Sequence, residues 1–167
     1  MRFSYSIPAA ICLLALPLFS QSAPVSPSPA LEKLKTLAGT WRAKGMGKSG
    51  KVTNTEFAIL SKGNCLQEDM NEDTLEWMLT LYCADSEGIL MTHYCAAGNQ
   101  PRMKAANWTG DTLAFEYLDA GNLASPDEGH MHKLVILIKD KRHFSATWTY
   151  RDHGKDVSDS FEYTRVK

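Results

Sequence analysis

Short runs of β-branched and aromatic residues, separated by turn-forming residues, fill the chain from Trp41 to its end. We count about ten such runs, and the turns between them contain Gly, Asn or Asp. Strands joined by turns this short pair as antiparallel neighbours, because a parallel crossover needs roughly a dozen residues or more. The pattern predicts an all-β fold, a roughly ten-stranded antiparallel up-and-down barrel, with a two-sheet sandwich as the alternative.

The start of the chain has a different composition. A basic residue, Arg2, precedes an apolar run over residues 7–19, and small residues follow at Ser20 and Ser22. This order is typical of a cleavable signal peptide. The run is shorter than the ~20 residues that cross a bilayer. We therefore predict a signal peptide over residues 1–22, no integral membrane segment after cleavage, and a periplasmic or secreted protein.

Residues 23–30 (APVSPSPA) are rich in proline and serine, which predicts an extended linker. Residues 31–167 are then one folded domain. Its leucines at positions 31, 34 and 37 predict a single short helix before the first strand. The whole chain has a formal net charge of −1 and no run of basic residues. A nucleic-acid partner is therefore not expected.

Three cysteines follow the predicted signal peptide: Cys65, Cys83 and Cys95. An odd number leaves at least one unpaired, and no CxxC spacing suggests redox or zinc chemistry. Cys65 and Cys83 lie on consecutive predicted strands. They become cross-strand neighbours if the turn over residues 72–74 has an odd loop, so a disulfide and free thiols both remain open.

The strand register can be predicted from the turns, because opposite residues of a hairpin share a constant index sum. A turn centred on His153 and Gly154 pairs Trp148 with Asp159, and a turn centred on Lys141 pairs Leu134 with Trp148. Applied to the other turns, the rule gives further pairs: Tyr150 with His132, Tyr117 with His132, Asp119 with His130, Lys104 with Tyr117, Arg102 with Asp119, Cys95 with Arg102, and His93 with Lys104.

These pairs place polar residues together at one end of the apolar face, beside the loops over residues 96–101 and 120–129. The predicted ligand-binding residues are His93, Arg102, Tyr117, Asp119, His130 and His132. The expected lining below them is Met91, Ala106, Phe115, Leu134, Ile136 and Trp148. One interpretation is a ligand pocket in which Arg102 binds a ligand carboxylate. The other is a polar network that plugs the barrel end, with Arg102 and Asp119 as a buried pair.

The segment His130-Met131-His132 places two imidazoles on one side of a strand, and His93 is a candidate third nitrogen. Three nitrogens and an open position resemble a zinc site. This arrangement is the basis of an alternative function, a metal-dependent hydrolase or isomerase. Chance HxH pairs are common, so we predict neither a metal nor another cofactor.

Leu37-Ala38-Gly39-Thr40-Trp41, after a short helix, resembles the Gly-x-Trp entry motif of calycins, the group of lipocalins and fatty-acid-binding proteins. Gly45-x-Gly47 is similar to the segment of nitrobindin-like barrels, which are ten-stranded and bind haem. Nitrobindins have glycine where this chain has Ala43, and they hold iron with a late-strand histidine. The last strand here presents Val157, Asp159, Phe161 and Tyr163 inward, with no histidine, so the resemblance does not extend to haem.

Residues 90–102 and 122–132 also resemble a family of exported bacterial domains of unknown function. That resemblance implies the fold and the exported context, and no activity. Together, these observations predict a non-enzymatic, lipocalin-like binder of a small apolar or acidic molecule. A plugged-barrel envelope protein without a ligand is the remaining alternative.

Overall fold

The computed structural model describes residues 28–46, 52–71, 74–86 and 88–166. The predicted signal peptide and residues 23–27 of the predicted linker lie outside the described residues. The elements, in chain order, are α1 (Pro29–Leu34), a 3-10 turn (Lys35–Leu37), β1 (Gly39–Gly45), β2 (Val52–Leu60), a second 3-10 turn (Ser61–Gly63), β3 (Cys65–Met70), β4 (Met78–Asp85), β5 (Gly88–Tyr94), β6 (Gln100–Ala105), β7 (Thr112–Gly121), β8 (His130–Ile138), β9 (His143–Asp152) and β10 (Lys155–Arg165).

The strands form a closed barrel in which each strand pairs with its sequence neighbours and β1 pairs with β10. All pairings are antiparallel. The predicted ten-stranded up-and-down barrel is therefore confirmed over the sandwich. Closure leaves no sheet edge unpaired, which accounts for a stable sheet that has, among the described residues, one short α-helix beside it.

Helix α1 covers one end of the barrel, which we call the closed end. Leu31, Leu34 and Leu37 are buried there, as expected from their spacing. The helix begins at Pro29, two residues inside the range predicted as linker. Proline at the first position and the Ser28 side chain, which accepts a hydrogen bond from the Leu31 N–H, favour this earlier start.

The C-terminal strand fixes the same end. Arg165 lies over the Trp41 ring, 4.1 Å from its centroid, and donates hydrogen bonds to the carbonyls of Thr36 and Ala38. The Trp41 indole in turn donates to the Leu37 carbonyl at 2.7 Å. Within the described residues, no helix is long and apolar enough to cross a membrane.

The predicted register holds for the last hairpins. Strand β10 pairs Asp159 with Trp148 and Tyr163 with Phe144, and β8 pairs Leu134 with Trp148. Phe144 forms the centre of the core beside Trp41, Phe57 and Tyr163. The turn rule also pairs Phe115 with Leu134, and this pair is present.

The register prediction is wrong where β-bulges occur. A bulge at His132 places Met131, rather than His132, opposite Tyr150. A second irregularity pairs Tyr117 with Met103 instead of Lys104, while Arg102 still pairs with Asp119. A single extra residue in one strand shifts every later side chain to the other face, so a register derived from turns alone fails beyond a bulge.

The register of β5 and β6 also differs from the prediction, because the turn between them is placed differently. Thr92 pairs with Arg102 and Leu90 with Lys104, so neither Cys95 nor His93 lies opposite the predicted partner. As a result Met103 and Ala105 are buried, while Ala106 is exposed and does not line the interior as expected.

Cys65 and Cys83 are directly opposite each other on β3 and β4 and form a disulfide. The disulfide alternative raised by the sequence is thus present. Cys95 is a free, partly buried cysteine.

Candidate functional site

A cavity of about 610 Å³ opens at the end of the barrel opposite α1, which we call the open end. Its volume lies within the range of small-molecule sites. The lining is mostly apolar and aromatic, and comes from β2, β3, β4, β5, β8, β9 and β10 and from the segment before β4. The lining residues are Thr53, Thr55, Met70, Asn71, Glu76, Met78, His93, Met131, Trp148, Tyr150, Asp152, Val157, Asp159, Phe161 and Tyr163.

His93 is the most informative residue of this lining. Its side chain is buried, and Nδ1 lies 2.8 Å from the Thr80 hydroxyl. Nε2 is also buried but has no hydrogen-bond partner. Burial lowers the pKa of His93 to about 4, so the ring is neutral at neutral pH. A buried polar atom without a partner costs about 1–3 kcal/mol, and a ligand hydrogen bond would recover much of that cost.

Thr55 provides a second polar group of the same kind. Its hydroxyl is buried without a partner and also lines the cavity. The Trp148 ring packs against the His93 ring with centroids 4.9 Å apart, so the imidazole also contacts the aromatic part of the cavity wall. The cavity therefore combines apolar walls with two unsatisfied hydrogen-bonding groups.

Behind His93 lies a row of inward polar residues. Glu68, Thr80 and His93 are successive register partners across β3, β4 and β5. The Tyr82 hydroxyl donates a 2.6 Å hydrogen bond to the Glu68 carboxylate. Burial raises the pKa of Glu68 to about 7, against the opposing effect of that hydrogen bond. These groups tie one wall of the cavity into a buried polar network.

The predicted site residues do not gather at this cavity. The structure places His93 in its lining, and none of the other five lines it. Arg102 and Asp119 form an ion pair with two hydrogen bonds, and their side chains are nearly half exposed. The interpretation of these two residues as a buried pair at the barrel end is therefore wrong. Arg102 shares its row with Thr92 because of the shifted β5–β6 register, and so it lies on the outside of the barrel.

Tyr117, His130 and His132 form a separate cluster where β7 and β8 diverge beyond Glu116 and Lys133. The Tyr117 ring stacks on His132 at 4.7 Å, and His130 Nε2 lies 3.1 Å from His132 Nδ1. Desolvation, followed by the Arg151 charge, lowers the pKa of His132. This cluster brings three of the predicted residues together, away from the cavity.

The zinc-like triad considered as an alternative is not assembled. His93 contacts Thr80 and Trp148 inside the barrel, whereas His130 and His132 contact each other and Tyr117. In the part of the chain that the structure describes, no group of three or more His, Cys, Asp or Glu side chains is arranged to hold a metal ion.

A larger depression, of about 750 Å³, lies at the closed end between the 3-10 turn after α1 and the β8–β9 turn. Its basic residues are Lys139, Lys141, Arg142 and Arg165. Among the described residues, the buried side-chain atoms without a partner all lie outside this depression. We therefore take the cavity at the open end as the candidate site.

The residues predicted from the sequence lie at the same end of the barrel as this cavity, but five of the six are outside its lining. The loops over residues 96–101 and 120–129 do lie at the open end. The missed residues, Thr55, Glu68 and Thr80, lie on β2, β3 and β4, whose register was not predicted. One signal was available, since Leu66, Glu68 and Met70 alternate in β3 and share the inward face.

Comparisons with known proteins give the fold and no activity. No protein-family model and no curated protein matches the chain. A crystal structure from Nostoc punctiforme, of a DUF3598 family protein with unknown function, is similar over 84% of this chain, with a TM-score of 0.52 and 12% identity. This chain spans 50% of that protein's length. A redesigned beta barrel matches 86% of this chain and 99% of its own length at 14% identity, with a TM-score of 0.37, too low to support an argument. The structural neighbour thus shares the barrel fold, in a family whose function is itself unknown.

Proposed function

We propose that this protein is a non-enzymatic binder of a small ligand, which it holds in the cavity at the open end of a calycin-like barrel. The observation that carries the proposal is the unpartnered Nε2 atom of His93 in the cavity wall. A folded protein rarely leaves such an atom unsatisfied, and a ligand with a polar group at its inner end would satisfy it.

The chemistry of the walls supports a mainly apolar ligand. Met70, Met78 and Met131 are flexible and polarizable, and they adapt to irregular apolar shapes. Phe161 and Trp148 add flat aromatic surfaces. The Thr80 contact leaves His93 able to donate or accept at Nε2, depending on its tautomer, and a ligand hydroxyl matches both cases.

We further propose that the protein is exported, as the signal-like residues 1–22 predict. The Cys65–Cys83 disulfide supports this proposal, because structural disulfides persist in oxidising compartments. Recovery of the mature chain from the cell envelope or the medium, with its N-terminus read by mass spectrometry, would test it. An intact N-terminus in the cytosolic fraction would reject it.

Binding is tested with N-phenyl-1-naphthylamine, a neutral apolar fluorophore that brightens in apolar surroundings. We expect saturable binding of one probe per chain to the wild-type protein. Met131→Trp places an indole in the cavity and should abolish binding. The matched control is Leu118→Trp, which adds the same ring at an exposed position of β7 and should bind like wild type.

Thermal unfolding of each variant shows whether it is folded, and Met78→Trp repeats the test from another strand of the cavity wall. Absence of probe binding by wild type would reject the proposed function. So would undiminished binding by folded Met131→Trp and Met78→Trp proteins. Native mass spectrometry of protein purified from its own envelope fraction then gives the mass of any resident ligand.

A further inference from the structure

We infer that the ligand of the open-end cavity is a cationic amphiphile, an amine or quaternary ammonium with an apolar body and its charge at the mouth. This inference rests on the proposed function and adds the chemical class of the ligand. It is carried by the charges of the lining. Within the described residues, the charged groups that line the cavity are Glu76, Asp152 and Asp159, and the lining contains neither lysine nor arginine.

Asp159 is the lining carboxylate that the register places beside an aromatic ring of the cavity. It is an exposed residue of β10, directly opposite Trp148 in the register, on the row that faces the interior. Its carboxylate is therefore at the rim of the cavity, beside the indole. Asp152, at the end of β9, is a second carboxylate of the same rim, and its Oδ1 lies 2.8 Å from the exposed His153 ring.

Aromatic rings accompany these carboxylates. Trp148, Tyr150, Phe161 and Tyr163 all line the same cavity. Aromatic faces attract cations through their quadrupole, and aromatic-lined sites are a recurrent means of binding alkylammonium groups. Carboxylates at the rim add direct Coulomb attraction, which is effective near a low-dielectric cavity. The two features favour the same sign of ligand charge.

An anionic ligand lacks a corresponding partner in the described lining. His93 is neutral, since burial lowers its pKa to about 4. Arg102 and Arg151 form ion pairs with Asp119 and Asp156, with exposed side chains outside the lining. The acidic ligand expected from the sequence depended on Arg102 reaching the cavity, and the β5–β6 register directs that residue elsewhere.

Three probes of equal chain length and different charge test the inference: decylamine, decanol and decanoate, each below its micelle concentration at pH 7. Displacement of bound N-phenyl-1-naphthylamine measures their affinities. We expect decylamine to bind about tenfold more tightly than decanoate, with decanol between them. The carboxylates of Asp152 and Asp159, partly screened by solvent, attract the ammonium group and repel the decanoate carboxylate. Raising the salt concentration should reduce this ratio.

The Asp152→Asn/Asp159→Asn double variant keeps the shape of the rim and removes its two charges. It should lower the decylamine-to-decanoate ratio severalfold while decanol affinity stays unchanged, since Glu76 and the aromatic rings of the lining remain. The matched control is Asp156→Asn, which removes one charge from the same strand, β10, outside the cavity lining. It should retain most of the preference.

The outcomes separate the two proposals. If decanol displaces the fluorophore but decanoate binds as tightly as decylamine, the charge inference is overturned and the binding function stands. A decylamine-to-decanoate ratio in the double variant equal to that of the wild type also overturns it. If the fluorophore itself does not bind wild type, the proposed function fails and the inference fails with it.

Discussion

The Tyr82 hydroxyl donates a 2.6 Å hydrogen bond to Glu68 in the interior of the barrel, and both side chains are buried. Desolvation raises the pKa of Glu68 to about 7, and the nearby Asp69 carboxylate adds to the rise. The pKa of Tyr82 also rises, because of burial and then the Glu68 charge. A carboxyl group that ionises near neutral pH therefore lies behind the wall of the candidate site.

This pKa predicts a pH dependence of stability. Between pH 4.5 and 7 the folded protein retains a proton on Glu68 that the unfolded chain releases, so the Glu68 contribution to stability falls as pH rises. The shift from 4.5 to about 7 corresponds to about 3 kcal/mol. Glu68→Gln should remove this fall. Urea unfolding of wild type and variant at pH 4.5, 6 and 7.5 gives the difference directly.

The pKa shift of His93 has the opposite effect on how stability depends on pH. Its folded pKa of about 4 lies below the ordinary 6.5, so protonation of the unfolded chain lowers stability as pH falls from 6.5 to 4. His93→Gln should therefore improve relative stability at low pH, whereas Glu68→Gln should do so at high pH. A free-energy difference from wild type that does not change with pH, in either variant, would contradict the burial of that group.

The hydrogen-bonding role of His93 Nε2 predicts a specificity for polar ligands. Wild type should bind 2-naphthol about tenfold more tightly than 2-methylnaphthalene, which has a similar shape but cannot hydrogen-bond. His93→Leu should abolish or reverse this preference because it removes the buried polar atom. Competition against N-phenyl-1-naphthylamine measures all four affinities. Equal affinities for the two naphthalenes in wild type would show that Nε2 does not contact the ligand.

The replacement of Arg102 separates the sequence-based site from the observed cavity. The sequence alone predicts that Arg102→Ala abolishes binding of an acidic ligand. In the structure, its guanidinium binds Asp119 on the outer surface, and Arg102 does not line the cavity. We expect unchanged affinity for N-phenyl-1-naphthylamine and decanoate. A loss of decanoate binding alone would restore the earlier interpretation.

Turn residues and alternation were sufficient to predict the barrel and most pairings of its last strands. Trp148 with Asp159 and Leu134 with Trp148 follow from two tight hairpins. The bulge at His132 leaves no signal in the turns, and it places Met131 in the cavity lining while the His132 ring stacks on Tyr117. Because side chains alternate along a strand, the extra residue at His132 turns His130 and His132, two predicted ligand contacts, out of the cavity lining.

The Cys65–Cys83 disulfide predicts a clear contribution to stability. It joins residues 18 positions apart, and the loop entropy it removes from the unfolded chain corresponds to about 3 kcal/mol. Cys65→Ala/Cys83→Ala should lower the free energy of urea unfolding by about this amount. Cys95→Ala is the control and should have a much smaller effect, because Cys95 is free. An unchanged urea midpoint after reduction of the wild type would contradict the pairing.

Gly88 begins β5 with φ of +144°, a conformation that other residues rarely adopt. An added Cβ would also lie 2.2 Å from the Ala105 carbonyl oxygen and 2.6 Å from that of Ala106, and neither backbone atom can move away easily. Gly88→Ala should therefore cost at least about 3 kcal/mol of stability, from backbone strain and from this clash. Because β5 carries His93, a folded Gly88→Ala protein should also bind N-phenyl-1-naphthylamine more weakly.

Gly154 separates backbone strain from steric clash. Its φ is +71°, but nothing lies within 4 Å of an added Cβ. Gly154→Ala should cost only about 1 kcal/mol, the strain of a left-handed alanine. Urea unfolding of the two variants beside wild type compares them under one condition. Equal losses would mean that the close approach of β6 to Gly88 contributes nothing, and that the turn conformation alone requires glycine there.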